Sequence, residues 1–129
     1  MNEPGPTIVH RASCHCGAVS FEVDALSQLN VIECNCRICV RSGFLHLLVA
    51  KLQFRLLSGA AVLRPYRFNT GVAEHLFCRV CGVKPFYVPR SHPDGYSINV
   101  RCLDPMTIGG QTRAPFEGKN WELNIEQIR

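Results

Sequence analysis

The sequence predicts a mainly antiparallel β fold built from small sheets. Two observations carry that reading. Short runs rich in β-branched and aromatic residues recur along the 129-residue chain, and Gly-, Pro- and Asn-containing turns separate them. Only two short stretches read as helical, one turn after Cys36 and a segment over 121–128. The clearest strand spans 18–23, where Val19, Phe21 and Val23 fall on one face and Ser20, Glu22 and Asp24 on the other. Further strands are expected over 45–50, 54–57, 62–68, 74–77, 85–88 and 96–100. Gly59, Asn69-Thr70-Gly71, Pro93-Asp94-Gly95 and Gly109-Gly110 punctuate them.

The composition sets limits. Apolar residues at 47% and charged residues at 19% belong to a globular chain rather than a disordered one. The length suits one domain, expected over residues 1–129 with its core over about 10–121. Such a domain can bury a core without relying on disulfides. Net charge is +4 and the pI about 8.7, with no block of five basic residues. The electrostatic footprint of a nucleic-acid binder is therefore missing, and no nucleic-acid partner is expected. Residues 1–11 carry no apolar run that would act as a signal peptide. The longest apolar stretch, 44–50, is broken by His46 and too short to cross a bilayer, so no membrane partner is expected. A cytoplasmic location follows as the expectation. There thiols stay reduced, and clustered cysteines are metal ligands more often than disulfides.

Seven of the eight cysteines fall in three clusters: Cys14-His15-Cys16-Gly17, Cys34-Asn35-Cys36-Arg37-Ile38-Cys39 and Cys78-Arg79-Val80-Cys81-Gly82. Short spacers let two thiolates of one turn reach the same tetrahedral zinc. Gly17 and Gly82 each follow a cysteine pair, where positive φ lets backbone N–H groups approach the sulfurs. Spacing leaves two pairings open. Cys36/Cys39 and Cys78/Cys81 could form one ribbon-like site. Alternatively, Cys14/Cys16 and Cys78/Cys81 could close a four-thiolate site, leaving Cys34, Cys36 and Cys39 as a three-thiolate cluster with an open position, the arrangement of a catalytic zinc. Zinc held by three thiolates has a net charge of −1, which makes it a weak Lewis acid toward water but able to bind and deprotonate a thiol.

The runs Cys14-His15-Cys16-Gly17-Ala18-Val19, Cys34-Asn35-Cys36-x-x-Cys39 and Phe77-Cys78-x-x-Cys81-Gly82 resemble the glutathione-dependent formaldehyde-activating enzymes. Phe68-Asn69-Thr70, Phe86-Tyr87-x-Pro89-Arg90-Ser91 and Cys102-Leu103-Asp104 are similar to the branch that includes centromere protein V. The likeness runs from about His10 to Trp121. It implies the twisted zinc-containing β fold shared with methionine sulfoxide reductase B and the Rab-associated zinc proteins. It also implies two zinc ions per chain: a structural one on Cys14, Cys16, Cys78 and Cys81, and a catalytic one on Cys34, Cys36 and Cys39. The activity implied is that of a carbon–sulfur lyase acting on glutathione or a related small thiol, as in the formation of S-hydroxymethylglutathione. Two alternatives stand beside it, a non-catalytic interaction module and a redox enzyme with Cys102 as nucleophile.

Arg37, Arg41 and Arg101 are candidate partners for substrate carboxylates, against the ordinary reading of solvated surface arginines. His46 either faces the open site as ligand or proton carrier, or is a satisfied core histidine. Cys102 is expected in the core, with a fourth-ligand or redox role as the alternatives. His15 is expected to point away from the metal, and His75 and His92 to lie on the surface. Phe86, Tyr87 and Tyr96 are expected to pack in the core or line a pocket.

Overall fold

The structure is a computed structural model that describes residues 7–68 and 71–118. The expected helical segment over 121–128, and Asn69 and Thr70, lie outside the described residues. In chain order the strands are β1 (Thr7–Ser13), β2 (Ser20–Leu26), β3 (Gln28–Cys34), β4 (His46–Ala50), β5 (Phe54–Ser58), β6 (Leu63–Tyr66), β7 (Glu74–Cys78), β8 (Phe86–Val88), β9 (Gly95–Asn99) and β10 (Gly110–Phe116). Among the described residues one α-helix, α1 (Arg37–Ser42), follows Cys36 as expected and stops at Gly43, whose φ of 65° ends the turn.

The strands form two sheets. One has the order β1-β2-β5, and the other β10-β3-β4-β9-β8-β7-β6. Among the described residues all pairings are antiparallel except β10 with β3, which is parallel. The mainly β fold in small sheets is as the sequence predicts. Three strands add to it: β1, β3 and β10 were not among the expected runs.

The register assigns the larger sheet two different faces. Leu47 pairs with Ile98, which pairs with Phe86, which pairs with Leu76; this row packs on the smaller sheet. Phe21 of β2 meets it, with ring centroids 5.4 Å from Phe54 and 5.3 Å from Phe86. Phe54 in turn lies 4.5 Å from Tyr96. Val19, Phe21, Val23 and Ile98 are wholly buried, so the alternation read in 18–23 does face the core. Burial of such side chains contributes roughly 1.5–3 kcal/mol each. The next row of the same sheet, Leu48–Ser97–Tyr87–His75–Tyr66, points to the opposite face. That face carries the cleft described below.

Candidate metal and substrate site

Two turns converge at one end of the sheets. The β1–β2 turn carries Cys14 and Cys16, and the turn after β7 carries Cys78 and Cys81. Both fold alike. Cys14 N–H donates to Val19 O at 3.1 Å and Cys78 N–H to Val83 O at 2.9 Å. Gly17 and Gly82 have φ of 81° and 80°, the left-handed conformation such knuckles need. Cys14 and Cys16 sulfurs lie 3.6 Å apart, and Cys16 and Cys78 sulfurs 3.7 Å. A disulfide would need ~2.05 Å. A tetrahedral ion with Zn–S of ~2.3 Å needs sulfurs separated by ~3.8 Å along each edge. The four thiols therefore fit a closed metal site, and the two sheets each contribute one pair to it.

The second group is local. Cys34 ends β3, Cys36 precedes α1 and Cys39 lies within it. Their sulfurs also lie within 4.8 Å of one another, and among the described residues no fourth Cys, His, Asp or Glu joins them. Gly118 closes against this group, since a Cβ there would stand 2.3 Å from Cys34 Sγ. The backbone is brought there by Asn35 N–H donating to Phe116 O at 3.1 Å, which extends the parallel β3–β10 pair.

His46 is the neighbour of this group, at 5% exposure. Its Nε2 lies 3.1 Å from Cys39 Sγ, and its Nδ1 2.9 Å from Ser97 Oγ and 3.3 Å from Tyr87 Oη. The two hydroxyls can donate to Nδ1, which leaves the proton on Nε2 and directs it at the sulfur. Burial, and then the charge of Lys84, lower the His46 pKa to about 4. His46 is thus a neutral side chain that holds Cys39.

The three thiols open onto a cleft of about 1210 Å³. Arg37 and Arg41 of α1 stand on its wall, with Ile38, Leu48 and Phe116 supplying apolar surface. Tyr66, Phe68, His75 and Tyr87 form a continuous aromatic wall, with His75 stacked 5.2 Å from Phe68 and 4.5 Å from Tyr87.

Several expectations need correction. His75 is not a surface residue; it is 5% exposed, because β7 register places it beside Tyr87 and under Phe68. Arg101 does not line this cleft. The turn after β9 places it with Cys102, His15 and Cys14 in a smaller hollow beside the first cysteine group. Cys102 is accordingly no fourth ligand of the second group. Burial, with the charges of Cys14 and Cys81, raises its pKa to about 11, which leaves it a poor nucleophile at neutral pH. His15 is exposed and His92 half-buried. Phe86 and Tyr96 are in the aromatic core, and Tyr87 is on the cleft. Lys84 was missed. It is a buried lysine within the apolar run from Val83 to Val88, and that break in the run was the available signal.

A structural comparison matches a crystal structure of a Rhodobacter sphaeroides protein at 34% sequence identity and a TM-score of 0.66. The match covers 79% of this chain and 99% of that one. A family model described as glutathione-dependent formaldehyde-activating enzyme matches residues 9–118. That span includes both cysteine groups and the whole cleft wall, and on it the chain belongs to the family of glutathione-dependent formaldehyde-activating enzymes.

Proposed function

We propose that the protein is a zinc-dependent carbon–sulfur lyase that joins a small thiol such as glutathione to a carbonyl compound such as formaldehyde, or reverses that addition. The observation that carries this reading is a group of three thiols, Cys34, Cys36 and Cys39, opening onto a large cleft within a chain of this family. Cys14, Cys16, Cys78 and Cys81 would hold a structural zinc. Cys34, Cys36 and Cys39 would hold the second ion, which would supply a soft acceptor for the substrate sulfur and lower that thiol's pKa.

The chain's own groups do the rest. Arg37 and Arg41 bring positive charge to the cleft wall, where planar guanidinium groups suit the carboxylates of a peptide thiol. The apolar and aromatic walls exclude water and hold the reactants together. His46 keeps Cys39 in place through its Nε2–H. Addition makes a carbon–sulfur bond and leaves an oxygen that takes up a proton; elimination runs the same changes backwards. The two alternatives are less well supported. A closed second site would suit an interaction module, but among the described residues the second group has three ligands. A redox nucleophile would need an activated Cys102, and its pKa is raised.

Calorimetry on zinc-loaded protein tests the reading. Glutathione is expected to bind, and S-methylglutathione, which keeps the carboxylates and blocks the sulfur, to bind more weakly. Glutathione binding is also expected to weaken with salt through Arg37 and Arg41. Equal affinity for the two compounds would rule out sulfur recognition. Binding of neither would remove glutathione as the substrate. Salt-insensitive binding would count against the arginines alone.

A further inference from the structure

Lys84 is 8% exposed, although lysine is seldom buried without a partner. Its Nζ hydrogen-bonds His75 Nδ1 and lies over two aromatic faces, 4.2 Å from the centroid of Tyr87 and 4.7 Å from that of Phe44. These π faces favour the ammonium form. Among the described residues, no carboxylate pairs with it. Asn99 holds the backbone that carries this side chain: Lys84 O accepts from Asn99 Nδ2 at 3.1 Å, and Asn99 N–H donates to Pro85 O at 2.9 Å.

An ammonium has donors and no acceptor, so His75 Nδ1 must accept. The imidazole proton then resides on Nε2. The ring is stacked between Phe68 and Tyr87, and the contact with Lys84 sets which edge faces the amine. His75 forms part of the same cleft wall as Cys34, Cys36 and Cys39. Charge is consistent with this arrangement. Burial and then Lys84 lower the His75 pKa to about 3, so the imidazole is neutral. Burial lowers that of Lys84 to about 8 against the opposing pull of the three thiols, so the amine is mostly charged at neutral pH.

We infer that His75 and Lys84 form a proton-delivery pair for the cleft, in which His75 Nε2 donates to the oxygen of the thiol adduct and Lys84 fixes the tautomer that permits it. The inference rests on the proposed addition of a thiol to a carbonyl. In that direction the sulfur–carbon bond forms and the carbonyl π pair moves to oxygen. The oxygen takes the Nε2 proton of His75, and Nδ1 takes a proton from Lys84 Nζ. The proton that the thiol loses on ionising returns through the cleft to His75 Nε2, and Nδ1 gives its proton back to Lys84 Nζ, so the resting pair is restored and no net proton is consumed. In elimination each transfer reverses. His75 is the catalytic residue of the pair, and Lys84 is a positioning residue and proton reservoir.

The test combines histidine nitrogen NMR with turnover of zinc-loaded protein on glutathione and formaldehyde. In wild-type protein at neutral pH, His75 is expected to be neutral with its proton on Nε2. In Lys84→Met the Nε2–H signature is expected to give way to a tautomer mixture. His75→Phe, which keeps the stack, is expected to lower kcat by ~10²–10⁴-fold with KM for glutathione little changed. Lys84→Met is expected to lower kcat in the same sense, and Lys84→Arg, which retains a donor, to recover part of it. A wild-type spectrum showing Nδ1–H or imidazolium overturns the pairing without any variant. Turnover that survives intact in His75→Phe overturns the catalytic role alone. Loss of the second metal in Lys84→Met in proportion to lost activity makes Lys84 a counter-charge for the thiols and overturns its role here. No turnover by wild-type protein overturns the proposed function and the catalytic role with it, while the spectrum still decides the pairing.

Discussion

Cys81→Ser is expected to yield a chain that does not hold its fold at 25 °C, whereas Cys39→Ser is expected to yield a folded and inactive protein. The difference follows from where each group of thiols sits. Cys14 and Cys16 lie beyond the three-stranded sheet, and Cys78 ends a strand of the seven-stranded one, 62 residues from Cys16. A metal held there ties the two sheets together across a long loop. Structural zinc contributes on the order of 10–16 kcal/mol in small peptides, comparable to or above the ~5–15 kcal/mol net stability of a domain. Losing one of four ligands removes much of that. Cys34, Cys36 and Cys39 span one strand end and one helical turn. Their ion closes a short loop, and the strands beneath are held by the core. Circular dichroism melts of the two variants check the expectation. Equal losses in melting temperature would contradict the division between a structural and a functional site.

His46→Leu is expected to leave the closed site loaded while weakening metal binding at the second group by about 10–100-fold, the usual consequence of removing a group that orients a ligand. The Nε2–H donated to Cys39 Sγ disappears, and the hydroxyls of Ser97 and Tyr87 lose their acceptor. His46→Gln retains an amide donor at nearly the same reach and is expected to lose less. Competition with a chromogenic chelator resolves the two classes of ion by affinity. A His46→Leu protein that is folded and binds its second ion as tightly as wild type would show that the histidine is packing alone.

How far these features were legible depends on what the residues had to signal. β2 was plain because Val19, Phe21 and Val23 alternate with polar neighbours and all three are buried. β1 was not, because its inward residues are His10 and Ala12, and a buried histidine breaks the apolar rhythm. His10 is satisfied there by Leu26 O and Thr107 Oγ1, partners that only the fold supplies. β10 carries one buried residue, Phe116, and includes Pro115; it is a strand through its parallel backbone pairing with β3, which side-chain pattern does not encode. β3 carries a shorter version of the same signal, Leu29 and Val31 alternating with Gln28 and Asn30. In the site, the cysteine groups were legible because paired thiols at short spacing have few other uses. His75 was not, since a lone polar residue on a strand gives no sign of the lysine that will meet it from the turn before β8. Arg101 was grouped with Arg37 and Arg41, but it lies in the turn after β9, which carries it to the first cysteine group, and no pattern in the residues marks that path.

The central claim is that the chain holds two metal ions in unlike thiol environments, one closed by the protein and one not. X-ray absorption at the zinc edge, with elemental analysis of protein isolated from zinc-replete cells, tests it most directly. Two zinc ions per chain are expected, with four sulfurs around one and three sulfurs plus one oxygen or nitrogen around the other. Adding glutathione is expected to raise the mean sulfur count as its thiol takes the open position. One ion per chain, iron with cluster absorbance, or two ions each closed by four protein sulfurs before any thiol is added would contradict the claim.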